Sequence, residues 1–138
     1  MSDYTVKKIP EMESIIPGPD GKLQLARGVG FVKVRAEVGA SAFGIQAMVL
    51  PPNLTEGYPE HDHGDDGQEE VYAVLRGTGE MEIEGDTVEV DPDTVVRVAS
   101  GTRRTVRSGP EGLTLLIVGA VPGRAYEPGP ITEIGKTG

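Results

Sequence analysis

The chain has no cysteine and no tryptophan, and only two phenylalanines and two histidines. Without cysteine, disulfides, thiolate metal sites and cysteine nucleophiles are excluded outright. Positive charge is scarce too: 13 lysines and arginines face 22 aspartates and glutamates, a formal net charge of −9. This balance argues against nucleic acid and anionic membrane surfaces as partners, since both are bound through excess positive charge. No apolar run approaches the roughly 20 residues of a membrane span. The N-terminal stretch Met1–Lys8 lacks the apolar core of a signal peptide, so a soluble cytoplasmic protein is the expectation. A G-x-S-x-G nucleophile elbow and a phosphate-cradling P-loop are both missing. Helical periodicity is hard to find anywhere in the chain.

What is present is turn chemistry, with 20 glycines and 11 prolines among 138 residues. This length suits one domain with a core of its own, and the composition favours many short strands joined by turns. Tyr4–Ile9 reads as a first strand, and the proline-rich Pro10–Gly21 as an arm or loop outside the core. Gly30–Val38 and Ala42–Leu50 read as neighbouring strands, the second stopped by Pro51-Pro52 because proline cannot donate to a sheet ladder. Gln68–Leu75 is a strong strand signal ended by Gly77. Residues 79–90 form a hairpin around Glu84-Gly85-Asp86. Thr94–Val98 and Arg104–Arg107 are further short strands. Leu113–Val118 is a continuous apolar run, expected as a strand buried on both faces, with a second sheet covering one face and another subunit the other. Beyond it Pro122, Pro128 and Pro130 break up the tail, and Ile131–Ile134 is expected to add an edge strand. The chain thus divides into an arm with first strands (1–41), a barrel (42–122) and a tail (123–138). An antiparallel sandwich or small barrel is the fold class these strands imply.

Both histidines lie two residues apart in the acidic stretch that leads into the Gln68–Leu75 strand. If that stretch is extended, the period of two puts the imidazoles of His61 and His63 on one face. Alternation in the following strand sets Gln68, Glu70 and Tyr72 on one face, against Glu69, Val71 and Ala73. An inward Glu70 opposite two histidines is a donor set for a divalent ion, which would also compensate the buried carboxylate. Imidazole with carboxylate restricts the metal only loosely, leaving iron, manganese, nickel, copper and zinc. Asp62, Asp65, Asp66 and Glu69 read as a solvated acidic turn, Gln68 as an oxygen ligand or a hydrogen-bonding neighbour of the site, and Tyr72 as a core residue or pocket wall.

This stretch resembles the first motif of the cupin superfamily, G-x5-H-x-H-x3-4-E-x6-G. His61-x-His63 is present, and Glu70 stands six residues before Gly77 as in the family, but six residues rather than three or four separate His63 from Glu70. Val98–Arg104 is similar to the second motif, with Arg104 where the family's last metal histidine usually stands. The resemblance implies an all-β antiparallel jelly roll, a homodimer, and His61, His63 and Glu70 opening into the barrel mouth. Arg104 either swings away and leaves an open coordination position, or replaces the metal and pairs with Glu70; a third role is to hold the carboxylate of a small acid. Arg97, Arg103 and Arg107 read as solvated. Two functions follow: a metal-dependent enzyme of oxygenase or isomerase type acting on a small organic molecule, or a non-catalytic small-molecule binder with the metal absent or structural.

Overall fold

The computed structural model describes residues 3–55 and 60–128. Its strands are β1 (Glu13–Pro17), β2 (Leu23–Arg27), β3 (Gly30–Val32), β4 (Gly44–Leu50), β5 (Glu69–Ile83), β6 (Asp86–Val90), β7 (Val95–Val98) and β8 (Arg104–Ala120), with one short helix, α1 (Val34–Val38). All pairings between these strands are antiparallel, in the order β2-β1-β3-β4-β8-β5-β6, with β7 also on β5.

The two long strands turn this ladder into a jelly roll. The first half of β5 pairs with residues 113–120 of β8 and with β7; its second half pairs with residues 104–108 of β8 and with β6. The register shifts between the halves, at Val74/Arg76 and at Gly77/Gly79. Gly77 therefore does not end the strand, as its neighbours suggested, but bends it. Its φ is +80°, and a Cβ there would lie 2.1 Å from the Gly112 carbonyl oxygen, so the bend accepts only glycine. The same bend joins Arg104–Arg107 and Leu113–Val118, read separately from the sequence, into the single strand β8. Met48, Leu50, Tyr72, Val74, Leu113, Leu115 and Ile117 from one layer meet Met81, Val90 and Val106 from the other in one buried cluster. The hairpin of β5 and β6 closes through Glu84 and Gly85, both at positive φ (49° and 85°). That is the backbone twist a two-residue hairpin favours.

The N-terminal third departs most from the sequence expectations. Tyr4–Ile9 forms no strand; the chain stays irregular up to a 3-10 turn at Ile9–Glu11. The expected arm instead contains β1, inside the sheet, with Met12 and Ile15 each 3 % exposed. Its prolines sit where they cost nothing: Pro10 opens the 3-10 turn and Pro17 ends the strand. β2, not anticipated, pairs with β1 at the sheet edge. Gly30–Val38 is a strand only as far as Val32 and then becomes α1, capped by Gly39 in the left-handed conformation with its N–H on the Arg35 carbonyl. Val34 and Val38, four residues apart on the helix, pack with Met12, Val32 and Ala47. Leu116 packs against the same group, so the chain itself covers part of the second face of the apolar run in β8. The edge strand expected at Ile131–Ile134 lies outside the described residues.

Candidate metal and ligand site

Three segments converge at the open end of the roll. His61 forms an antiparallel bridge with Arg104, each backbone N–H donating to the other's carbonyl at 2.9 Å. This places the histidine stretch beside the first residue of β8. The His63 N–H donates to the Ser100 carbonyl at 2.6 Å, and the Gly67 N–H to the His63 carbonyl at 2.7 Å. The extra residues between His63 and Glu70 are thus taken up in a tight turn at residues 64–67. The chain then enters β5 with Glu70 facing the histidines, as alternation predicts.

The imidazoles of His61 and His63 meet edge to face, with ring centroids 5.1 Å apart. One donor atom each from His61, His63 and Glu70 lies within 4.8 Å of the others, and no other such group occurs among the described residues. His63 Nε2 is 3.3 Å from Glu70 Oε1. Two donors on a tetrahedral ion at about 2.1 Å each lie about 3.4 Å apart, so this spacing suits an ion as well as a direct contact. On its other side, His63 Nδ1 is 3.1 Å from the Asp66 carboxylate, which also accepts from the Gln68 N–H. A carboxylate on one ring nitrogen leaves the other as the ligand atom, the arrangement that orients metal-bound histidines. Asp66 was expected to be merely solvated. Instead the lengthened turn brings it onto His63.

Arg104 resolves the alternatives left open by the sequence. It is fully buried and donates from Nη2 to Glu70 Oε1 at 2.7 Å, from Nε to the Tyr72 hydroxyl at 3.1 Å and from Nη1 to the Thr102 carbonyl at 2.6 Å. It pairs with Glu70 and does not swing away. Tyr72, itself 1 % exposed, donates to the same Glu70 oxygen at 2.9 Å. Tyr72 is thus a core residue whose hydroxyl reaches the site. Arg97 pairs with Glu69, Arg103 with Glu60 and Asp62, and Arg107 with Glu82, all at the surface.

Burial alone would raise the Glu70 carboxyl, but His63, Arg104 and Tyr72 outweigh it and hold the pKa at about 2. The His63 imidazole is raised, mainly by its contact with Glu70; burial opposes this and Asp66 adds to it. The donor set fits a divalent ion, because two imidazoles and a carboxylate already face a common centre. The fit carries one handicap. The guanidinium already neutralises Glu70, so burial of that carboxylate does not by itself call for an ion.

The three ligand candidates open onto a cavity of about 830 Å³, lined chiefly by apolar side chains including Ile15, Phe31, Met48, Leu54 and Ile117. Gln68 lines it too, as expected, whereas Arg104 and Tyr72 lie behind Glu70 and do not. Arg104 is therefore not placed to hold the carboxylate of a bound acid. Two cavity residues were not anticipated: Gln46 on β4, and Tyr126, whose hydroxyl sits over Gly44. A Cβ at Gly44 would lie 3.0 Å from that hydroxyl. Neither residue had a signal in the sequence, since one interrupts an apolar strand and the other lies in a proline-rich tail.

No family model and no curated protein matches the sequence significantly, so the likeness lies in the structure. A cupin protein from Bacteroides fragilis superposes with a TM-score of 0.65 at 17 % identity, over 96 % of both chains. The chain has the cupin fold. The Cupin 2 domain of an XRE family transcriptional regulator from Enterobacter cloacae matches 59 % of this chain and 83 % of its own, with a TM-score of 0.51 and 23 % identity. A DMSP lyase from Ruegeria pomeroyi matches 62 % of this chain and 42 % of its own, with a TM-score of 0.52 and 23 % identity. These neighbours span a regulator domain and a lyase, and a shared fold alone transfers no activity. No helix among the described residues is long and apolar enough to cross a membrane.

Proposed function

We propose that this cupin binds a small organic molecule in its cavity, with His61, His63 and Glu70 holding one divalent transition metal at the polar end. The observation that carries the reading is the convergence of three donor atoms within 4.8 Å on the wall of an apolar cavity of about 830 Å³. A bound ion would supply Lewis-acid or redox chemistry there, which is the basis for an enzyme of isomerase or oxygenase type. The chain's own residues have separate tasks. Asp66 orients His63, Arg104 and Tyr72 keep Glu70 ionised, and the apolar wall excludes water and binds the body of the ligand. A metal-free small-molecule binder is the second reading, favoured by the buried Arg104–Glu70 pair, which already does for Glu70 what an ion would do.

Elemental analysis of protein purified without added metal or an affinity tag decides between them. About one equivalent per chain in the wild type, lost in the double variant His61→Ala, Glu70→Gln, is the expected result. Wild-type protein that stays metal-free after incubation with excess iron, manganese, nickel, copper and zinc in turn would leave the binder alone.

A further inference from the structure

Gln46 is 9 % exposed, and among the described residues its side chain makes no hydrogen bond; its Oε1 is buried without a partner. A buried carboxamide left unpaired costs stability, and an apolar residue of the same shape avoids that cost. The strand register shows where it stands. Gln46, Ile117 and Tyr72 face one another across β4, β8 and β5, and the next rung holds Gly44, Gly119 and Glu70. Gln46 thus sits one rung from Glu70 on the same face of the sheet, lining the cavity. Tyr126, over Gly44, places a second neutral hydrogen-bonding group at this end.

The charges around the cavity narrow what these groups receive. Among the described residues its ionisable lining groups are Asp66, Glu70, the two histidines and Tyr126, with no lysine or arginine, while Arg104 is sealed behind Glu70. In the metal-free protein a free carboxylate or sulfonate would meet two carboxylates, opposed only by the two imidazoles. We infer that Gln46 selects the ligand, and that the metal-free cavity prefers a neutral amphipathic molecule: an apolar body bearing a hydroxyl or N–H group that pairs with the Gln46 carboxamide. Because that carboxamide can turn about its last bond, it meets a donor or an acceptor on the ligand with little movement. This inference rests on the cavity being the binding site, as proposed above.

The test is a fluorescence titration of the full chain, freed of metal with a chelator, with N-phenyl-1-naphthylamine, a neutral apolar dye carrying one N–H, and with its anionic counterpart 1-anilinonaphthalene-8-sulfonate. The wild type is expected to bind the neutral dye at least about tenfold more tightly than the sulfonate. Gln46→Met, unbranched and close in size, is expected to weaken the neutral dye by about tenfold while leaving the melting temperature unchanged or raised. A melting temperature lowered by the substitution would show that the carboxamide has a structural role, and would overturn the inference. Neutral-dye binding that the substitution leaves unchanged overturns it also, as does equal affinity for the two dyes, and in either case the cavity still stands as a binding site. A wild type that binds neither dye overturns the inference and the cavity reading together.

Discussion

The guanidinium of Arg104 lies 2.7 Å from the Glu70 carboxylate with no exposure to solvent, and one hydroxyl, that of Tyr72, joins the two. Breaking such a pair from one side strands the other charge. Arg104→Met is therefore expected to destabilise the metal-free protein by about 3–5 kcal/mol. The double variant Arg104→Met, Glu70→Leu should recover most of that loss, because no buried charge is left. Urea denaturation of the three proteins measures both effects, and a single variant as stable as the wild type would mean that the pair does not hold the site together.

The same pair sets the expected response to acid. Glu70 has a folded pKa of about 2 against the usual 4.5, so its stabilisation is present above pH 4.5 and is lost as pH falls toward 2. A shift of that size corresponds to about 3 kcal/mol. His63 runs the other way. Its pKa is raised above 6.5, so its contribution is full below 6.5 and disappears as pH rises through the raised value. Metal-free protein should then be most stable between about pH 4.5 and 6.5. Urea midpoints measured across pH 2.5–8.5 should trace that maximum, with Glu70→Gln flattening both arms. A wild-type midpoint that rises steadily with pH would contradict the arrangement around Glu70.

If an ion occupies the site, Arg104 opposes it by charge and by holding one Glu70 oxygen. Arg104→His removes that opposition and supplies a further imidazole beside His61, to whose backbone residue 104 is bridged. Metal affinity, followed by calorimetric titration with zinc, is expected to rise by at least about tenfold. Affinity unchanged or reduced would mean that the ion does not bind beside Arg104.

Much of this is legible in the amino-acid sequence alone. Gly44–Leu50, Val95–Val98 and the hairpin at Glu84-Gly85 follow from alternation and turn chemistry, and the spacing of His61, His63 and Glu70 identified the residues that converge. Other parts were not readable, for physical reasons. Gly30–Val38 alternates like a strand, but packing of Val34 and Val38 with Met12 selects a helix after Val32. Pro10, two residues before Met12, and Pro17 hid the strand that lies between them. The role of Asp66 depends on the turn at residues 64–67, which tertiary contacts with Ser100 hold in place. Gln46 and Tyr126 are far from the histidines in sequence, and only the strand register brings Gln46 within one rung of Glu70.

Asp66 provides the last prediction, since it bears on His63 without touching the cavity's far wall. Its carboxylate is 3.1 Å from His63 Nδ1 and accepts the Gln68 N–H at 2.9 Å, so it fixes both the tautomer of His63 and the entry into β5. Asp66→Asn keeps an oxygen for the backbone N–H but removes the charge that supports His63 as a ligand. Metal affinity is expected to fall by about 10–100-fold, with little change in the melting temperature of the metal-free protein. Asp66→Ala should lower both, because the turn loses its hydrogen bond as well. An Asp66→Asn variant that binds zinc as tightly as the wild type would show that His63 needs no carboxylate behind it. The extended spacing between His63 and Glu70 would then have no part in metal binding.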